Sequence, residues 1–131
     1  MASDTFQFHR EGDLDLTIIT VVGSIETEDI IRHLADFYDQ FNTSKLIWDF
    51  SRAEGEHIDG RQLRRIVDAA KSQAHLREGG ATAIVVPRSS QFGVARMYEI
   101  LSDLAGHPIA HAVFRSLEEA RAWLKATRPS A

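Results

Sequence analysis

The sequence predicts an α/β domain with a single open mixed sheet, its elements in the order β-β-α-β-α-β-α-β-α. Three observations carry this. Short continuous apolar runs, with Leu46-Ile47-Trp48 at the centre of one and Ala81 to Val86 forming another, have the composition of strands covered on both faces. Segments with apolar residues at helical spacing stand between such runs. At the N-terminus an alternating segment and a β-branched one flank a turn, as in a hairpin. Strands that alternate with helices imply parallel pairing through right-handed crossovers, with one antiparallel partner from the hairpin.

Taken in order, Phe6 and Phe8 alternate with Gln7 and His9, the period of a half-buried strand. Glu11-Gly12-Asp13 supplies turn chemistry, and Leu14 to Val22 forms the second strand. Ile30, Leu34, Phe37 and Phe41 then draw one apolar stripe along a helix, with Glu26, Glu28 and Asp29 near its first turn, where the helix dipole favours negative charge. Lys45 to Phe50 is the third strand. Asp59 with Gln62 has the capping-box spacing for a second helix, whose inner face is Leu63, Ile66, Val67 and Ala70, and Gly79-Gly80 ends it. After the strand Ala81 to Val86 and Pro87, Ser89 or Ser90 caps a third helix with Val94, Met97, Tyr98 and Leu101 as its stripe. Gly106 and Pro108 stop it. Ile109 to Phe114 is the last strand, and Ser116 with Glu119 caps a final helix that turns Leu117, Ala120 and Leu124 inward, with Trp123 alongside.

The 131 residues suit one domain, 1–131, with a core from about 6 to 124 and a short flexible tail over 127–131. A net charge of -4 argues against a nucleic-acid or anionic-membrane surface, which needs a basic excess. With no cysteine there is no disulfide framework, thiolate metal site or cysteine nucleophile. No apolar segment approaches the roughly 20 residues of a membrane span, and the start lacks a signal-peptide pattern, so a cytoplasmic location is the expectation.

The element order, the hairpin, the acidic end of Leu46-Ile47-Trp48-Asp49-Phe50 and the closing segment from Val113 to Leu124 together resemble the STAS (SpoIIAA-like) family. This is the fold of bacterial anti-sigma-factor antagonists and of small stand-alone relatives. The stretch from Phe92 to Glu99 is similar to a motif of those stand-alone members. The resemblance implies a regulatory role exercised by binding another protein. In the regulatory members an Asp followed by Ser-Ser-Gly-Leu opens the second helix, and one of those serines is phosphorylated. Here Asp59 and Leu63 match, but Gly60 and Arg61 stand at the serine positions and neither can carry a phosphate. Ser51 is a candidate for a displaced acceptor.

Ligands of open parallel sheets bind beyond the carboxyl ends of the strands. On this chain that edge gathers Gly23-Ser24, Asp49 to Arg52, Pro87 to Ser90 and Arg115-Ser116. Arg52, Arg88, Ser89, Ser90 and Arg115 therefore form a candidate rim for an anion or a phosphorylated partner, since helix N-termini favour anions. The alternative is that the serines cap helices and the arginines are solvated. The connection from Ser51 to Ile58, with Ser51, Arg52, Glu54, Glu56 and His57 leading into Asp59, is a candidate interaction loop, against the alternative of an ordinary surface loop. The aromatic and methionine residues of the third helix either line a pocket for an apolar ligand such as a lipid or belong to the core.

Catalytic signatures are missing. Asp49, Ser51 and His57 have the residue types of a nucleophilic triad, without a nucleophile elbow to arrange them. His107 and His111 have a metal-binding interval, but Pro108 denies them a helix. No glycine-rich phosphate loop or other cofactor motif is present. The expectation is a non-catalytic module that binds another protein or a second copy of itself, a homodimer being common at this size. The alternative is a domain that holds a small anionic or apolar ligand.

Overall fold

Phe6–Glu11 (β1) and Leu16–Ser24 (β2) pair antiparallel, from Phe6 opposite Val21 to Glu11 opposite Leu16. A short 3-10 turn over Gly12–Leu14 joins them. Asp15 closes that turn in the left-handed region at φ 52, where an aspartate is tolerated, so β2 begins at Leu16 rather than Leu14. The computed structural model describes residues 6–54 and 59–127; the expected tail beyond Thr127 lies outside them.

Thr27–Gln40 (α1) buries Ile30, Leu34 and Phe37, and Phe41 follows it to stack on Phe8 at 4.9 Å. Lys45–Glu54 (β3), Ala81–Val85 (β4) and Ala110–Phe114 (β5) extend the sheet in the order β1-β2-β3-β4-β5, every pair after the hairpin being parallel. Gly60–Gln73 (α2) opens on the expected capping box: Gln62 N–H donates to the Asp59 carboxylate, and Asp59 N–H donates to the Gln62 side chain, both at 2.9 Å. Its end differs from expectation. The helix stops at Gln73, a 3-10 turn over Ala74–Arg77 intervenes, and Gly79 at φ 86 turns the chain only afterwards.

Ser89–Leu104 (α3) and Leu117–Ala126 (α4) complete the fold. Parallel crossovers of one hand place α1, α2 and α3 on one face, over Val21, Leu46 and Trp48 and then Ile84 and Val86. Helix α4 covers the other face, burying Ala120 and Leu124 against Ile18, Ile47 and Ala83. Arg121 ties α4 to the hairpin through both oxygens of Glu11, at 2.9 and 2.6 Å.

One buried cation organises the end of the sheet where β3 and β4 begin. Arg77 is 5% exposed and donates to the carbonyls of Thr43 (2.8 Å), Ser44 (3.0 Å) and Ala81 (3.1 Å), and to the Thr82 hydroxyl (3.2 Å). Its guanidinium also lies 5.1 Å from the Phe37 ring centre. The planar fork thus satisfies oxygens of two strand starts at once. Gly80 sits in the same knot, where a Cβ would collide with the carbonyl of Ser44.

Candidate functional site

At the opposite end, strand β3 runs further than its sequence suggests. Thr20 pairs with Asp49 but Val22 pairs with Arg52, so β3 carries one extra residue, a bulge at Phe50-Ser51. Asp49 holds it by accepting the Ser51 N–H at 3.0 Å. The extra residue flips the alternation of side chains beyond it. Ala53 therefore enters the core at 1% exposure, while Arg52 and Glu54 face solvent. Ser51, Arg52 and Glu54 accordingly belong to β3, which corrects the expectation of a loop starting at Ser51. Pairing with β2, through Gly23 opposite Ala53 and Ser24 opposite Glu54, keeps this polar stretch extended. Glu56, His57 and the rest of 55–58 lie outside the described residues.

Strand β4 reaches only as far as Asp49 along β3, so the Ala53 carbonyl has no strand neighbour on that side. Two side chains at the start of α3 take its place. Gln91 donates through Nε2 at 2.8 Å, and Arg88 donates through its guanidinium. Arg88 occupies the N-cap position of α3, and no side chain caps that helix. Ser89 is already its first residue and Ser90 lies in its first turn, so the expected serine cap is not formed by Ser89. Arg115 lies over the Phe92 ring at 4.4 Å and reaches the Pro87 carbonyl (3.3 Å) and the Ser89 hydroxyl (3.4 Å). The structure thus joins Arg88 to Ala53, one residue from Arg52, and Arg115 to Ser89. Asp59 and Ser116 are helix caps.

Helix α3 departs most from expectation. Its buried positions are Gln91, Ala95 and Ser102, with Tyr98 half-buried on the same face. Its outer face carries Met97, Ile100 and Leu104, which are 46, 51 and 79% exposed and follow at i, i+3 and i+7. Met97 was expected in the core. Of the expected stripe, Val94, Tyr98 and Leu101 do pack against the core and Met97 faces outward, because Gln91, Ala95 and Ser102 complete the inner face. Gly60 of α2 lies beside Met97, where a Cβ would be 3.9 Å from its sulfur, and Lys71 donates to the Ala105 carbonyl at the far end. Helices α2 and α3 therefore lie side by side, with the apolar stripe on their shared outer surface. Ile100 and Leu104 were missed by the sequence reading, although their spacing with Met97 forms a second stripe as regular as the one chosen.

Beneath these helices a pocket of about 90 Å³ opens between α1, α2, α3 and the sheet, walled by residues such as Trp48, Phe50, Leu63, Val86 and Val94. Gln91 lines it, is 7% exposed, and leaves its Oε1 buried without a hydrogen-bond partner. Ionisable groups with large shifts lie elsewhere or along its inner wall. Burial pushes the Tyr98 phenol up to about 12. At the start of β5, burial, helped by His107, takes His111 down to about 3, and burial with nearby Arg77 and Lys71 takes His107 down to about 4. Among the described residues no cluster of three or more His, Cys, Asp or Glu side chains is placed to hold a metal, and no helix is long and apolar enough to cross a membrane.

No family model and no curated protein matches this sequence. Solved structures do resemble the fold. The anti-sigma factor antagonist SpoIIAA in its unphosphorylated form is 18% identical over 92% of this chain and 97% of its own, with a TM-score of 0.51. An uncharacterised protein of the DUF3478 family with a SpoIIAA-like fold, from Shewanella loihica PV-4, is 15% identical over 91% of each chain, with a TM-score of 0.55. An anti-sigma factor antagonist from Mycobacterium paratuberculosis is 15% identical over 92% of this chain and 93% of its own, with a TM-score of 0.51. The likeness is one of fold: this chain has the STAS, SpoIIAA-like architecture.

Proposed function

We propose that this chain is a non-catalytic, STAS-like protein-interaction module of bacterial signalling, and that it meets its partner on the outer face of α3. The exposed stripe of Met97, Ile100 and Leu104 carries the reading. A surface helix ordinarily turns its large apolar side chains to the core and its small or polar ones outward. Val94, Tyr98 and Leu101 of α3 follow that rule, but three further large apolar side chains stand in water and mark a surface made to be covered. Arg64, exposed and one turn after Gly60 on the helix beside Met97, adds a cation to this surface, so a partner with an apolar ridge flanked by carboxylates is the complement.

The fold supports this reading by analogy, since two of the similar structures are anti-sigma factor antagonists. The regulation differs from theirs in one respect. Gly60 and Arg61, which open α2 behind the Asp59 cap, have no hydroxyl, so no phosphate is placed there and partner binding is not switched at that position. Arg88 and Arg115 meet the N-terminal end of α3, and with Arg52 on β3 they supply cations near that end of the helix.

Comparative capture tests the proposal. Wild type and the double variant Ile100→Asp, Leu104→Asp serve as baits in lysate of the host organism, at equal folded content. A polypeptide retained by wild type and lost by the variant is the expected result; equal retention contradicts the assignment. Sedimentation of the purified chain distinguishes a second copy of itself from a different protein.

A further inference from the structure

The pocket beneath α3 is a second feature, independent of the outer stripe. We propose that it binds a small, neutral, largely apolar molecule bearing one hydroxyl, an alcohol or a phenol, which donates its hydrogen bond to Gln91 Oε1.

The polarity of the site follows from one contact. Gln91 Nε2 lies 2.8 Å from the Ala53 carbonyl oxygen, and only a donor can occupy that place. The amide orientation is thereby fixed by the network, with Oε1 as the group turned away from Ala53. That oxygen is buried and unpartnered on a side chain 7% exposed that lines the pocket. Buried acceptors of this kind nearly always have a partner in folded proteins. The occupant must therefore bring a donor.

The remaining chemistry comes from the walls. Trp48, Phe50, Ile84, Leu63 and Val94 present apolar surface to the occupant. Water is a poor fit, because a buried water needs two to four polar partners. A carboxylate is a worse one, since its charge would face an acceptor across an apolar cavity. The volume of about 90 Å³ suits a ring or a short chain.

Titration of the purified full chain with phenol and with toluene, followed by NMR at the Gln91 side-chain amide and the Val94 methyls, tests this. The two probes have nearly the same shape and differ in the donor. Phenol is expected to give saturable shifts at both sites with an affinity at least about tenfold that of toluene, about 1.4 kcal/mol, and benzoate no saturable shift. Gln91→Met is expected to remove the preference for phenol while still admitting toluene. Toluene binding as tightly as phenol to the wild type, or no saturable shift with either up to the limit of solubility, overturns the proposal. The wild-type comparison stands alone if Gln91→Met does not fold. Since Ile100→Asp, Leu104→Asp leaves the pocket walls intact, phenol binding by that variant separates this site from the partner surface.

Discussion

Arg77 donates through Nε to the carbonyl of Thr43 at 2.8 Å, and this bond ties the turn after α2 to the chain entering β3. The same guanidinium serves Ser44, Ala81 and Thr82. Burial lowers its pKa, the nearby Tyr38 working against that fall, yet an arginine stays charged. Its removal would take a donor from four oxygens, of which the Ser44 carbonyl keeps the Ala81 N–H. Arg77→Met is therefore expected to cost about 3 kcal/mol or more, within the range for breaking a buried hydrogen-bonded charge. Arg77→Lys, which offers no planar fork, should recover less than half of the loss. Urea unfolding of the three proteins checks both, and a Lys variant as stable as wild type would contradict the bidentate role.

Two glycines should respond in opposite directions. At Gly80 a Cβ would meet the Ser44 and Arg77 carbonyls, neither of which is free to move. Gly80→Ala is expected to destabilise by about 2 kcal/mol or more, the cost of overpacking. Gly93 lies inside α3 with nothing within 4 Å of its missing Cβ. Gly93→Ala should stabilise by about 0.5–1 kcal/mol, the helical difference between the two residues. Shifts of the urea midpoint in these directions are the expected readout.

Acid should weaken the fold before the carboxylates titrate. His107 and His111, at about 4 and about 3, are neutral in the folded chain, while in the unfolded chain they take up protons near 6.5. The unfolded state thus binds more protons as pH falls through 6.5, and stability declines. Glu11, whose pKa Arg121 lowers from 4.5, adds a loss of the same sign at still lower pH, so the window from 6.5 to 4.5 isolates the histidines. Both His107 nitrogens are buried without partners, so His107→Leu sacrifices no hydrogen bond. This variant is expected to match or exceed wild-type stability at pH 7 and to show a shallower slope between pH 6.5 and 4.5. An unchanged slope would refute the assignment.

Most of the architecture is legible in the sequence because the strands and three of the helices follow the periods that burial imposes. The capping box of α2, the Ser116 cap of α4 and the inner faces of α1 and α2 are local patterns, and they form as read, although the reciprocal half of a box at α4 does not. The missed features are set by distant partners. Ser51 to Glu54 is polar and has no strand period; it is held extended by β2, some thirty positions earlier in the chain, across a bulge that no local pattern announces. The inner face of α3 is fixed by the pairing of Gln91 with Ala53 and by Val94, Ala95, Tyr98 and Leu101 against the core, which leaves Met97, Ile100 and Leu104 outside.

The central claim is that the α3 stripe is covered when the protein works. Met97 sits in that stripe, and the sequence has only one other methionine, Met1. Labelling with 13C-methyl methionine therefore gives a spectrum with at most two protein signals. In complex with the polypeptide captured by the wild-type bait, or at a chain concentration where it self-associates, the Met97 signal should shift or broaden. A saturated complex that leaves Met97 unchanged would contradict the claim.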